Sequence, residues 1–120
     1  MQDFRKLRTW ECAHRLALKV YRASDAFPSE ELYGLTSQVR RASASIPANI
    51  AEGCGRGGGA ELGRFLQIAM GSASELEYHL LLARDLGILE TARHEELESD
   101  LLRLKRMLNT FIAKVRTAQK

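Results

Sequence analysis

The sequence predicts an all-α protein, an antiparallel up-and-down four-helix bundle that assembles as a homo-oligomer. Three observations lead there. Four stretches carry apolar residues at helical spacing, the connections between them are short and marked by Gly or Pro, and no stretch alternates as a half-buried strand does. With 120 residues the chain is long enough for one hydrophobic core but not for two, so residues 1–120 form a single domain, with helices expected over about 9–25, 30–52, 60–86 and 91–117.

Thr9 is placed to cap the first helix, with Trp10, Ala13, Leu16, Ala17, Val20 and Tyr21 on one face and Arg8, Arg15, Lys19 and Arg22 on the other. Phe27-Pro28 ends it, because the residue before a proline is pushed out of the helical region. Ser29, followed by Glu30 and Glu31, starts the second helix with negative charge in its positive first turn. Its stripe is Leu32, Leu35, Val39, Ala42, Ile46 and Ile50. Pro47 lies within it and predicts a kink between Ser43 and Pro47. The neighbouring Ala42, Ser43, Ala44, Ser45, Ala48 and Ala51 are small, which lets another helix backbone come close.

Residues 53–59, GCGRGGG, read as the connection to the third helix, whose inward stripe runs from Leu62 and Phe65 through Leu66, Ala69, Ala73, Leu76 and Leu80 to Ala83. Tyr78, Leu81 and Leu82 lie off that stripe, more apolar surface than one bundle contact needs, and surplus of this kind marks self-association. Gly87 is a natural stop and Thr91 a cap for the fourth helix. There Leu97, Leu101, Leu104, Leu108, Phe111, Ile112 and Val115 face inward, and Arg103, Arg106 and Lys114 face away.

Charge narrows the function. The formal net charge is +3. Before Gly59 nine Lys or Arg stand against six Asp or Glu, and from Gly59 onward nine stand against nine. The surplus therefore sits in the first half, and an oligomer would multiply it. Arg8, Arg15, Lys19 and Arg22, joined by Arg5 and Lys6, form the candidate surface for RNA or DNA. Glu11, one turn before Arg15, neutralises part of it. No aromatic residue interleaves with this face, so binding would be to backbone phosphate and would fall steeply with salt.

Other chemistries are weakly supported. The glycine loop lacks the Lys-Ser/Thr of a phosphate-binding loop, since Ala60-Glu61 follows, and no strand leads into it. A di-iron bundle needs two Glu-x-x-His pairs, whereas Glu11 and His14 are one pair beside the stripe. Cys12 and Cys54 read as small half-buried thiols, and His14, His79 and His94 as surface or boundary residues. Thus no enzyme, cofactor or metal is expected. No apolar run approaches the ~20 residues of a membrane span and the N-terminus lacks a signal-peptide core, so a soluble cytoplasmic protein is expected. Arg40, Arg41 and Glu52 are too far apart along one helix to touch, which points to an inter-helix or inter-subunit pair. Asn49 is placed to bond the carbonyl that Pro47 leaves unpaired, or to cap a neighbour.

The segment Tyr33–Arg56, YGLTSQVRRASASIPANIAEGCGR, resembles the signature of the four-helix-bundle proteins encoded in intervening sequences of bacterial 23S rRNA genes. The likeness extends upstream to Phe4 and downstream to FLQIAMGSASELEYHLLLARDLGIL. It implies a homopentamer with a central channel, similar to the accessory proteins of diversity-generating retroelements, which bind nucleic acid and a reverse transcriptase. The family signature maps onto Arg40, Arg41, Pro47, Asn49, Glu52, Gly53, Arg56, Phe65, Ser72 and Glu75 as structural or interface residues, none catalytic. The implied alternative to nucleic-acid binding is a protein-interaction scaffold serving an enzyme such as a reverse transcriptase.

Overall fold

The computed structural model describes residues 2–119. Four α-helices fill it: α1 Arg8–Ser24, α2 Leu35–Gly55, α3 Gly59–Asp85 and α4 Thr91–Ala118. Two short 3-10 turns, Phe4–Lys6 and Ser29–Glu31, precede α1 and α2, and no strand occurs among the described residues. At 1.5 Å per residue a helix of 28 residues spans about 42 Å. The molecule measures 47 × 23 × 20 Å, so the long helices lie along its long axis.

Each helix packs on two others, α1 on α2 and α4, and α3 on α2 and α4. The α2–α3 pair is the most extensive contact and α1–α4 the least. The core between them takes Leu16 and Val20 from α1, Val39, Ile46 and Ile50 from α2, Leu66, Leu76 and Leu80 from α3, and Leu97, Leu101, Leu104 and Leu108 from α4. Each such leucine is held by transfer and packing terms whose loss on truncation costs about 2–5 kcal/mol.

The element ends differ from the sequence reading in four places. α1 starts at Arg8, with Leu7 rather than Thr9 at the cap position. The chain is drawn in early because Phe4 packs edge-on against Trp10, with ring centres 4.9 Å apart, and Asp3 accepts the Arg5 N–H at 3.1 Å to cap the preceding turn. The second helix does not begin at Glu30. Residues 29–31 form a separate turn, Gly34 breaks the path, and the Glu31 carboxylate accepts the Leu35 N–H at 3.1 Å. Leu32 therefore leaves the inward stripe and is exposed. α2 also runs on through Gly53 and Cys54 to Gly55, which shortens the glycine connection to residues 56–58. At the fourth place Glu90, not Thr91, precedes α4.

Gly87 stops α3 as expected, at φ 75°. Its N–H donates to the Arg84 carbonyl at 3.0 Å and the Ile88 N–H to the Ala83 carbonyl at 2.9 Å, the paired bonds of a Schellman turn. Pro47 is buried within α2, which runs unbroken from Leu35 to Gly55. Asn49 does not reach the carbonyl one turn before Pro47. Its amide donates to the Ser45 carbonyl at 2.8 Å and to Ser45 Oγ at 3.0 Å. Among the described residues no helix is long and apolar enough to cross a membrane.

Candidate nucleic-acid interface

Ion pairs engage part of the predicted basic stripe on α1. Lys19 Nζ donates to Asp100 of α4 at 2.7 Å, and Arg15 lies 3.6 Å from Glu11. Arg8 and Arg22 have no carboxylate within 4.0 Å among the described residues, but fourteen residues of helix separate them, about 21 Å. Arg5 is paired with Asp3 at 3.3 Å, and that carboxyl is held below its ordinary value chiefly by the hydrogen bond from the Arg5 backbone. Lys6, two residues before Arg8, is exposed and likewise has no carboxylate within 4.0 Å among the described residues, so the unpaired cations of the stripe lie at its two ends.

Free positive charge collects instead where the start of α1 meets α4. A cleft of about 490 Å³ is lined by Leu7, Arg8 and Thr9 on one side and by Arg103, Arg106, Met107, Thr110, Phe111 and Lys114 on the other. The α4 residues recur every three or four positions, so one helix face carries them all. Among the described residues no carboxylate lies within 4.0 Å of Arg8, Arg103, Arg106 or Lys114; Arg103 instead points an Nη2 at Cys12 Sγ, 4.0 Å away. Leu7, Met107 and Phe111 are half-buried and form an apolar floor under the cationic rim. The first turn of α1 has no side-chain cap, so its outward N–H groups add a partial positive charge beside the cleft.

The sequence contained the signal for this face. Arg103, Arg106 and Lys114 share it with Met107, Thr110 and Phe111, whereas the inward-facing stripe had absorbed Phe111 into the core.

Among the described residues no three His, Cys, Asp or Glu side chains gather at metal-binding range. His14 stacks on Trp10 at 4.9 Å, exposed. His94, expected at the surface, is instead 1% exposed, and neither ring nitrogen has a hydrogen-bond partner among the described residues. Its nearest charge is Glu98, 3.9 Å from Nε2.

Residues 5–110 match the family described as 23S rRNA-intervening sequence protein. The chain belongs to this family. It is also similar to the crystal structure of a protein of unknown function from the S23 ribosomal protein family of Bacteroides thetaiotaomicron. The two are 23% identical, with 87% of this chain and 97% of that one covered and a TM-score of 0.81, a likeness of fold. No curated protein matches the chain.

The family's signature residues resolve into three structural groups. Arg40 bridges α2 to the end of α1: its Nε donates to Ser24 Oγ at 2.7 Å, its Nη2 to Asp25 at 2.9 Å, and its guanidinium lies 5.2 Å from the Tyr21 ring centre. Ser45 and Ser72 share a 2.8 Å hydrogen bond across α2 and α3, with Asn49 bonded to the same Ser45 hydroxyl.

At the glycine end Glu52 pairs with Arg56 at 2.8 Å, not with Arg40 or Arg41. Arg56 and Arg64 lie 5.1 and 4.5 Å from the centre of the Phe65 ring. Arg64 also bonds Glu61 at 2.9 Å and holds that carboxyl below its ordinary value. Gly53 is buried against Leu62 and Phe65. A Cβ there would lie 2.9 Å from Phe65 Cβ, which is why glycine stands at this crossing. Arg41 is exposed and bonds Gln38 at 2.7 Å, and Glu75 is exposed.

Proposed function

We propose that the protein is a non-enzymatic, antiparallel up-and-down four-helix bundle that binds RNA or DNA by the phosphate backbone, through the α1–α4 cleft. The observation that carries this reading is the convergence of four cations without acidic partners, Arg8, Arg103, Arg106 and Lys114, around one concave surface. Exposed guanidinium groups already paired with carboxylates would have to break those pairs to hold phosphate; these do not. Opposed pairings support the helix directions: Ser45–Ser72 and Gly53–Phe65 run in opposite order along α2 and α3, as Lys19–Asp100 and Cys12–Arg103 do along α1 and α4.

The reading includes self-association as a homopentamer, which would repeat the cleft around a ring. Ala17, Leu18, Tyr21, Ala44 and Pro47, with His14 at one edge, line a mostly apolar depression between α1 and α2, and Leu18 and Tyr21 are exposed there, as an inter-subunit surface requires.

A second reading, a scaffold for a nucleic-acid enzyme such as a reverse transcriptase, is favoured by apolar side chains exposed at the connections, Leu32, Leu86 and a 94% exposed Tyr33. One titration separates them. Purified protein is titrated with labelled RNA and duplex DNA over a salt series, with its mass in solution measured alongside. Phosphate binding gives a steep salt slope that falls by about 1 when Arg106→Gln removes one contact. Absence of binding at low salt removes this function and leaves the scaffold.

A further inference from the structure

We propose that the α1–α4 cleft accepts an unpaired nucleotide of single-stranded RNA or DNA, its base laid against Phe111 and Met107 and its phosphates held by Arg8, Arg103, Arg106 and Lys114. This deepens the phosphate-binding reading and rests on it. Phosphate contact alone needs only the cationic rim. The apolar floor of Leu7, Met107 and Phe111 is surplus to that need, and water against it is unfavourable when the cleft stands open.

A duplex keeps its bases stacked inside and can offer the floor nothing. An unpaired base brings a planar apolar face, and aromatic side chains take such faces with little regard to sequence. The thioether of Met107 is polarizable and suits the edge of a ring. The volume, about 490 Å³, falls within the range of pockets that enclose small organic groups, roughly 300–1,000 Å³. Hydrogen bonding is also provided for. Thr110 Oγ1 donates to the Arg106 carbonyl at 3.1 Å, which leaves its lone pairs free for a base N–H, and Thr9 lines the opposite wall.

The charge around the cleft decides the occupant. An uncharged apolar helix would bury four cations without partners, at a cost that grows with each one. An anionic strand pairs them. The basic face of α1 carries no aromatic residue and by itself offers phosphate contact only; the aromatic partner comes from α4, brought alongside by the packing of α1 on α4.

The test compares two labelled strands of equal length, about ten nucleotides, within the usual site size. One is oligothymidylate and the other an abasic strand carrying the same phosphates. The expected result is about tenfold or more tighter binding of oligothymidylate, the lower part of what one stacked base contributes. That difference collapses in Phe111→Leu, which keeps an apolar side chain against the core, while Arg106→Gln weakens both strands alike. Met107→Ser gives the same comparison if the far-ultraviolet signal of Phe111→Leu shows a folding loss. Equal affinity for the two strands overturns the base contact and leaves phosphate binding standing. A thymidylate preference untouched by both variants also overturns it, because the base then sits elsewhere. Failure of both strands to bind at low salt removes this proposal together with the reading beneath it.

Discussion

Arg40 Nε donates to Ser24 Oγ at 2.7 Å, and that hydroxyl in turn donates to the Tyr21 carbonyl at 2.9 Å, so one guanidinium ties α2 to the last turn of α1. Ser24 is 2% exposed, and the bond is therefore made in a setting where an unpaired hydroxyl is costly.

Arg40→Met should lower stability by about 1–3 kcal/mol, the range for a hydrogen bond from a charged donor plus a hydroxyl acceptor left half-satisfied. Asp25→Asn should cost less than about 1 kcal/mol, since Asp25 is exposed and its ion pair is screened. Urea melts of both variants check the ordering. Equal losses would mean that the exposed ion pair, not the buried hydroxyl, is the anchor.

Two effects oppose each other in Gly53→Ala. A helical alanine gains about 1 kcal/mol over glycine, but overpacking costs about 1–3 kcal/mol. The clash partner is Phe65 Cβ at 2.9 Å, an atom fixed to backbone that cannot swing aside. Overpacking wins, and a lower thermal midpoint is expected. A raised midpoint would show that α2 and α3 can separate at this end without loss.

Replacing His94 by leucine should raise stability, by about 1 kcal/mol or more. The substitution removes two buried ring nitrogens that lack partners and keeps a side chain of similar size. Denaturant unfolding measures this directly. A large loss would reveal a hydrogen bond to His94 that the protein makes through water.

Neutralising Lys19 should change the salt slope of nucleic-acid binding little, because Lys19 is already engaged by Asp100 at 2.7 Å. Removing Arg103 should lower it by about 1. The same salt series on Lys19→Gln and Arg103→Gln decides between the α1 stripe and the α4 face.

Burial pushes the Cys54 thiol above its ordinary value, and the negative charge of Asp3 adds a smaller push in the same direction. A raised folded value means that the thiol's contribution to stability is present below the ordinary thiol range and drains as pH rises through the folded one. At pH 8 iodoacetamide should modify half-exposed Cys12 well before Cys54. Simultaneous labelling would show that the end of α2 opens readily.

Periodicity made the helices legible because burial on one face leaves a period in the sequence, and most stripe positions from Ala13 to Val115 are indeed buried. It misjudged Leu32, since a stripe can be read straight across a break that only the backbone at Gly34 reveals. It missed the α4 cleft for another reason. Arg103, Arg106 and Lys114 look like any solvated face until the start of α1 is set beside them, and no local pattern encodes which helix lies opposite. Lys19 shows the converse: its partner Asp100 is eighty-one residues away, so no local pattern reveals that its charge is paired.

The four seams between helices are unequal. Small residues and the Ser45–Ser72 bond draw α2 and α3 into the broadest contact, while α1 and α4 share the narrowest. The cleft lies on that narrow seam, so whatever fills it acts as mortar where the masonry is thinnest. Occupancy should slow amide exchange in the first turns of α1 while leaving the α2–α3 half unchanged, which makes α1 the natural reporter of a bound strand.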